Sequence, residues 1–70
     1  MNTVDRLMEL IEAKGLTLFQ VAQKSGISYN ALKRTRERGG QLSVDTIITL
    51  CSAMNVTLAE FFEYIDQKVG

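Results

Sequence analysis

Hydrophobic residues recur at helical spacing in several segments of the chain. The first segment, about residues 3–14, and the fourth, which begins with "SVDTIITL", each place apolar residues at i, i+3, i+4 and i+7, on one face of a helix. These two stripes are Val4, Leu7, Met8 and Ile11, and Ile47, Leu50, Cys51 and Met54. A second segment ends at about Lys24 with Val21 and Ala22 inward, and a third spans about residues 29–38. The last segment contains the largest apolar side chains: Leu58, Phe61, Phe62 and Ile65.

Residues that begin and end helices stand between these segments. Helix ends are predicted at positions that suit a left-handed residue or a stop: Gly15, Gly26, Gly39 with Gly40, and Asn55. Helix starts are predicted at N-cap residues, two of them in capping boxes with Gln20 and Glu60: Thr17, Ser28, Ser43 and Thr57. The turn around Gly26 is so short that the helices on either side must cross steeply. We therefore predict an all-α fold of five helices.

Length and composition fit one small domain, residues 1–70. The chain has 70 residues, is 46% hydrophobic and 23% charged, and contains 5 Gly and no Pro. A core of this size is marginal, so a homodimer that adds buried surface is expected. The chain has one Cys and no His, so the usual zinc and thiol-catalysis sites lack their commonest partner residue. We expect no enzyme activity, no metal, no cofactor and a cytoplasmic location; no apolar run predicts a membrane span or signal peptide.

Charge is unevenly distributed although the formal net charge is zero. Between residues 24 and 38 a single acid, Glu37, accompanies five basic residues: Lys24, Lys33, Arg34, Arg36 and Arg38. The last sixteen residues contain three acids and one Lys: Glu60, Glu63, Asp66 and Lys68. A basic centre and an acidic end predict a polarised surface.

The predicted third helix has a polar face. At 100° per residue this face spans about 140° and contains Tyr29, Asn30, Lys33, Arg34 and Glu37. The opposite side contains Ala31, Leu32 and Thr35. Long cations and an amide suit the acceptor-rich edges of the DNA major groove, with Arg36 and Arg38 flanking them near phosphates. The alternative is a merely solvated face.

Residues 18–37 resemble the helix-turn-helix of the lambda-repressor-like, Cro-type DNA-binding family. The matching positions are the small Ala22, the turn residue Gly26, and the apolar Val21, Ile27 and Leu32. The stretch "LSVDTIITLCSAMNVTLAEFF" resembles the family's fourth and fifth helices, so the resemblance covers about residues 4–65.

Two positions depart from the family pattern. Thr35 stands where a larger apolar residue is common, and Leu18 stands where many members have a Gln that contacts a phosphate. The backbone amides at the start of the second helix remain available to a phosphate.

The resemblance implies roles for named residues. Base contacts fall on Tyr29, Asn30, Lys33 and Arg34. Phosphate contacts are expected at Thr17, Ser28, Arg36, Arg38 and Gln41. Tyr29 has the alternative of packing beside the turn, and Glu37 is expected to pair with Lys33 or Arg34 and not to accept from a cytosine.

Two apolar features have structural and functional interpretations. Cys51 is expected to be a buried small hydrophobe, with a redox switch as the alternative. The aromatic end of the fifth helix is a candidate dimer interface, through Phe62, Tyr64 and Ile65, or else closes the core.

The function expected from the resemblance is a sequence-specific DNA-binding transcriptional regulator of bacterial or phage type. It would bind double-stranded DNA as a homodimer on a roughly palindromic operator, without a small-molecule substrate or a membrane. Two alternatives stay open: the DNA-binding antitoxin of a toxin–antitoxin pair, and a protein-binding helical module.

Overall fold

A computed structural model describes the backbone of residues 2–69 and the side chains of residues 2–63. In this part of the chain five helices follow one another, and it contains no strand: α1 Thr3–Ala13, α2 Leu18–Ser25, α3 Tyr29–Arg38, α4 Val44–Met54 and α5 Leu58–Val69. The predicted all-α fold of five helices is confirmed. The helix ends agree with the predicted ones to within about a residue.

The predicted caps explain this agreement. Thr17 and Gln20 exchange two hydrogen bonds, from Thr17 N to Gln20 Oε1 (2.9 Å) and from Gln20 N to Thr17 Oγ1 (3.1 Å). Gly26 ends α2 with φ 78° and ψ 6°, and its N–H donates to Ala22 O at 3.0 Å. This left-handed conformation strains residues that have a Cβ, so glycine suits the turn between α2 and α3.

The core surrounds α2, which packs against α4 and α3, while α1 and α5 close the other side. Val21, Leu50 and Phe61 are fully buried. Cys51 is buried as predicted, and burial together with the negative charge of Glu60 raises the pKa of its thiol. The thiol therefore stays protonated at neutral pH and packs as an apolar group.

Polar side chains of α1 and of its N-cap residue Asn2 connect α1 to α5, to the end of α3 and to the loop after α3. Arg6 donates from Nε to Phe61 O (2.6 Å) and from Nη2 to Glu60 O (2.7 Å) in α5. Asn2 Nδ2 donates to Gly39 O at 2.6 Å, and the amide of Leu42 donates to Thr3 Oγ1 at 2.6 Å. Because α1 holds the end of α3 and the loop after it, it fixes the direction of α3.

Burial differs from the sequence interpretation at three positions. Ala31 is exposed, because it lies about 100° from the buried Leu32 around the helix axis. Leu58, in the first turn of α5, is 42% exposed, and Val56 in the connection before it is buried in its place. The apolar face of α5 therefore begins later than its composition indicates.

Across residues 2–69, none of the helices has the length and apolar character that crossing a bilayer requires.

Candidate nucleic-acid interface

The exposed face of α3 consists largely of polar and charged side chains. Leu32 is the only residue of α3 that is buried, which leaves the rest of the helix at or near the surface. Asn30, Lys33, Arg34 and Glu37 are all exposed and line one shallow depression of about 230 Å³. Four polar side chains predicted to share a face are thus brought together.

Glu37 does not form the expected ion pair with Lys33 or Arg34. Among the side chains of residues 2–63 the one salt bridge joins Arg6 Nη1 to Glu9 Oε2 at 3.6 Å. The cations of α3 project into solvent and gain little from a surface pair in water. Lys33 and Arg34 therefore remain available to an external anion or a DNA base.

Tyr29 lies at the start of α3 and is half-buried against the core. Its ring meets the ring of Phe19 edge to face, with centroids 5.5 Å apart and an interplanar angle of 73°. Both interpretations of Tyr29 are thus compatible with its position, since part of the ring packs beside the turn and part is exposed. Phe19 itself is 52% exposed.

Phe19 lies beside the start of α3, and the sequence interpretation assigned it no role. The sequence did contain a signal: Phe19 is a large aromatic side chain next to Leu18, and it does not share the helix face of the inward Val21 and Ala22. Phe19 and Tyr29 share a cleft of about 360 Å³ with Thr17 and Arg36, and α1 lines its other wall.

The other expected phosphate contacts are distributed around this face. Ser28 caps α3, its Oγ accepting from Ala31 N at 3.3 Å, and Arg38 is the last, exposed residue of α3. Gln41 lies after α3, where its Oε1 accepts hydrogen bonds from Thr3 N (2.8 Å) and Thr3 Oγ1 (2.9 Å). Its oxygen therefore stabilises the start of α1.

The first turns of the five helices differ in charge. Those of α1, α4 and α5 contain Asp5, Asp45 and Glu60, whereas those of α2 and α3 contain no acidic residue. A helix N-terminus has unpaired N–H groups and a partial positive charge, which an acidic side chain in the first turn offsets. At the starts of α2 and α3 no acidic side chain offsets this field, so an external anion would be attracted there.

Among the residues that the structure describes, no group of three or more His, Cys, Asp and Glu side chains is placed so that it could hold a metal ion.

Two helices joined by a tight glycine turn, the second with an exposed cationic face, define a helix-turn-helix domain. A sequence model of the Cro/C1-type HTH DNA-binding domain matches residues 6–67. The chain belongs to this family, and the resemblance noted from the sequence is confirmed. The family supports a DNA-binding role and is not a family of enzymes. Comparisons with curated proteins and with solved structures give no match.

Proposed function

We propose that this protein is a sequence-specific transcriptional regulator of bacterial or phage type that binds double-stranded DNA in the cytoplasm. In this proposal residues 1–70 act as one domain, and α3 enters the major groove. The observation that supports it most directly is the exposed group of Asn30, Lys33 and Arg34 on one face of α3, opposite the buried Leu32. An α-helix with such a face fits the width of the major groove.

The proposed base contacts follow from the donors and acceptors of these side chains. The amide of Asn30 can pair with the N6 and N7 edge of adenine, and the guanidinium of Arg34 with O6 and N7 of guanine. Lys33 supplies a further donor on the same face, and Tyr29 supplies an aromatic ring and a hydroxyl. These residues are exposed or half-buried, so the contacts need no rearrangement of the core.

The proposed phosphate contacts surround the base-contacting face. Thr17 and Ser28 cap helices without a first-turn acid, so a phosphate there would meet both free amides and a favourable field. Arg36 lines the cleft beside Tyr29, and Arg38 is at the end of α3. Gln41, in the loop after α3, is also proposed to contact a phosphate; its Oε1 accepts hydrogen bonds from Thr3 N and Thr3 Oγ1.

We also propose a homodimer through α5. Phe62 is half-buried, with its ring centroid 5.0 Å from that of the buried Phe61. Leu58, four residues earlier and therefore on the same face, is 42% exposed. The side chains of Tyr64 and Ile65, also assigned to the interface, lie outside the described residues. Sedimentation at tens of micromolar without DNA tests this, and a monomer would contradict it.

Two arginine substitutions test the base and phosphate assignments. We expect selection from random duplexes to yield a preferred site, with the affinity for it falling as salt rises. Arg34→Ala should then weaken the preferred site by about 1–3 kcal/mol and relax the preference at one base pair. Arg38→Ala should weaken all duplexes alike and reduce the salt slope by about one. The measurement is a titration against preferred and scrambled duplexes at several salt concentrations.

The outcomes separate the possible functions. Equal weakening of both duplexes by Arg34→Ala would make α3 an electrostatic clamp and contradict the base assignment. Absence of any salt-dependent duplex binding would contradict the proposed function and favour a protein-binding module.

A further inference from the structure

We propose that Phe19 is a specificity-determining residue, and that the Phe19–Tyr29 ring pair contacts the 5-methyl group of a thymine in the operator. The inference rests on the proposed function, since it needs α3 in the major groove. It adds a side chain from α2, and a chemical identity for its ligand, to the contacts assigned to α3.

The first observation is the exposure of Phe19. Leu18 before it is buried, and Gln20 after it is held in the capping box with Thr17. Phe19 is therefore the apolar side chain that the first turn of α2 leaves outside the core, with 52% of the residue exposed. A phenyl ring forms no conventional hydrogen bond with water, so covering it with an apolar ligand is favourable.

The second observation is the place of this ring beside the proposed base-contacting face. Its centroid lies 5.5 Å from that of Tyr29, the first residue of α3. Around the axis of α3, Tyr29 lies about 40° from Lys33 on one side and about 20° from Arg36 on the other. The ring pair thus occupies the border between the base-contacting face and the phosphate-contacting side.

The charges around the ring pair favour an uncharged ligand. The cleft that Phe19 and Tyr29 share contains one cation, Arg36, and one acid, Glu12. These charges balance, so the space against the two rings has no net charge to attract a phosphate, and the phosphate contacts proposed for the exposed Thr17 and Arg36 would lie outside it. The rings are therefore better suited to an apolar group, and the apolar feature that DNA exposes in the major groove is the thymine methyl.

The edge-to-face geometry keeps the two rings in a fixed relation. Such aromatic pairs are favourable beyond their buried area, so Phe19 and Tyr29 form one apolar surface with two walls. A methyl group placed against both rings loses most of its contact with water. Removing that methyl should weaken binding about fourfold, the effect of one buried methylene-sized group.

Replacement of each thymine of the preferred duplex by deoxyuridine, one at a time, tests the contact. This change removes the methyl and keeps every Watson–Crick hydrogen bond. We expect wild-type protein to lose about fourfold in affinity at one position. Phe19→Ala should bind the thymine duplex more weakly and should lose most of the difference between the thymine and deoxyuridine duplexes at that position, because only the Tyr29 ring then faces the methyl.

Two further variants make the test specific. Ile48→Ala removes a similarly exposed apolar side chain (46%) from α4, and it should keep the wild-type difference between the two duplexes. Tyr29→Phe retains the ring without its hydroxyl and should also keep the difference in affinity between the two duplexes. Thermal unfolding of each variant excludes a loss of folded protein as the cause.

Three outcomes would overturn the inference. If no deoxyuridine substitution weakens binding while the protein still prefers its selected site, the methyl contact is wrong and the proposed function stands. If Phe19→Ala weakens the thymine and deoxyuridine duplexes equally and the methyl effect persists, Phe19 only supports α3. If no duplex is preferred at all, the proposed function fails and the methyl contact fails with it.

Discussion

The starts of α2 and α5 have the same capping geometry and differ in charge. In α2, Thr17 N donates to Gln20 Oε1 at 2.9 Å, and in α5, Thr57 N donates to Glu60 Oε1 at 3.0 Å. The return bonds, from the amides of Gln20 and Glu60 to the threonine hydroxyls, are 3.1 Å and 3.0 Å. The two helix ends are therefore satisfied equally well as hydrogen-bonding groups.

The difference lies in the third residue of each helix. Glu60 is a carboxylate at the positive end of α5, and its hydrogen bonds with Thr57 hold the pKa of that carboxyl below its ordinary value, with Lys14 adding to the effect. Gln20 is neutral, so the positive end of α2 is capped without being offset. The partial positive charge at the start of α5 is offset within the protein, whereas that at the start of α2 is not and still favours an anion.

This comparison shows how a small domain separates stability from binding. A capping box can be built with Gln or Glu, and both stabilise the helix. Gln20 in α2 gives up a favourable charge within the protein and leaves this helix end open to the phosphate contact that we propose. The absence of a first-turn acid in α3 has the same effect on the second helix of the motif.

Among the changes that test this comparison, the largest effect is expected from giving α2 the acidic third residue that α5 has. Gln20→Glu retains the capping box and should stabilise the fold by about 0.3–1 kcal/mol through the helix field. The same carboxylate would repel a phosphate at the start of α2, so DNA affinity should fall by about 1–2 kcal/mol, roughly five- to thirtyfold. Thermal unfolding and duplex titration at low salt measure the two opposite changes.

Gln23→Glu is the matched control, because Gln23 is exposed and lies beyond the first turn of the same helix. It changes the net charge by the same amount without entering the field at the start of α2. An equal loss of affinity in both variants would mean that net charge alone, and not the helix end, governs binding.

Much of the fold could be predicted because its helix ends depend on local chemistry. Thr17, Gly26 and Ser28 each act within a few residues of themselves, so their caps can be recognised in the sequence. The stripe of Ile47, Leu50, Cys51 and Met54 is likewise a property of one helix, and all four are buried. The shared face of Asn30, Lys33, Arg34 and Glu37 follows from helical periodicity, and these four residues line one depression.

The remaining features depend on contacts between different elements or on competition with water, neither of which a single segment displays. Gln41 hydrogen-bonds with Thr3, 38 residues away, and this partner cannot be recognised from either segment alone. The contact of Phe19 with Tyr29 requires the crossing of α2 and α3. The missing ion pair of Glu37 reflects competition with water, which helical spacing does not describe.

A smaller effect is expected from removing the threonine of each capping box. Thr17→Ala and Thr57→Ala should each destabilise the fold by about 1 kcal/mol, because the amide of the third helical residue loses its acceptor. Only Thr17→Ala should also weaken DNA binding, since Thr17 is proposed to contact a phosphate. Chemical denaturation and duplex titration of both variants measure this. Equal DNA affinity in the two variants would contradict the phosphate contact of Thr17.

The smallest effect concerns the charge of Glu60. Its pKa is lower in the folded chain than in the unfolded one, so its charge stabilises the fold above the ordinary carboxyl pKa of about 4.3. This contribution is lost as the pH falls through the folded pKa. Glu60→Gln keeps the capping box, so its melting temperature should lie slightly below wild type at neutral pH, and the difference should vanish in acid. DNA affinity at neutral pH should be unchanged, in contrast to Gln20→Glu. A melting-temperature difference that is constant from neutral to acidic pH would show that Glu60 stabilises α5 only through its hydrogen bonds, and the electrostatic contrast between the two helix ends would then be wrong.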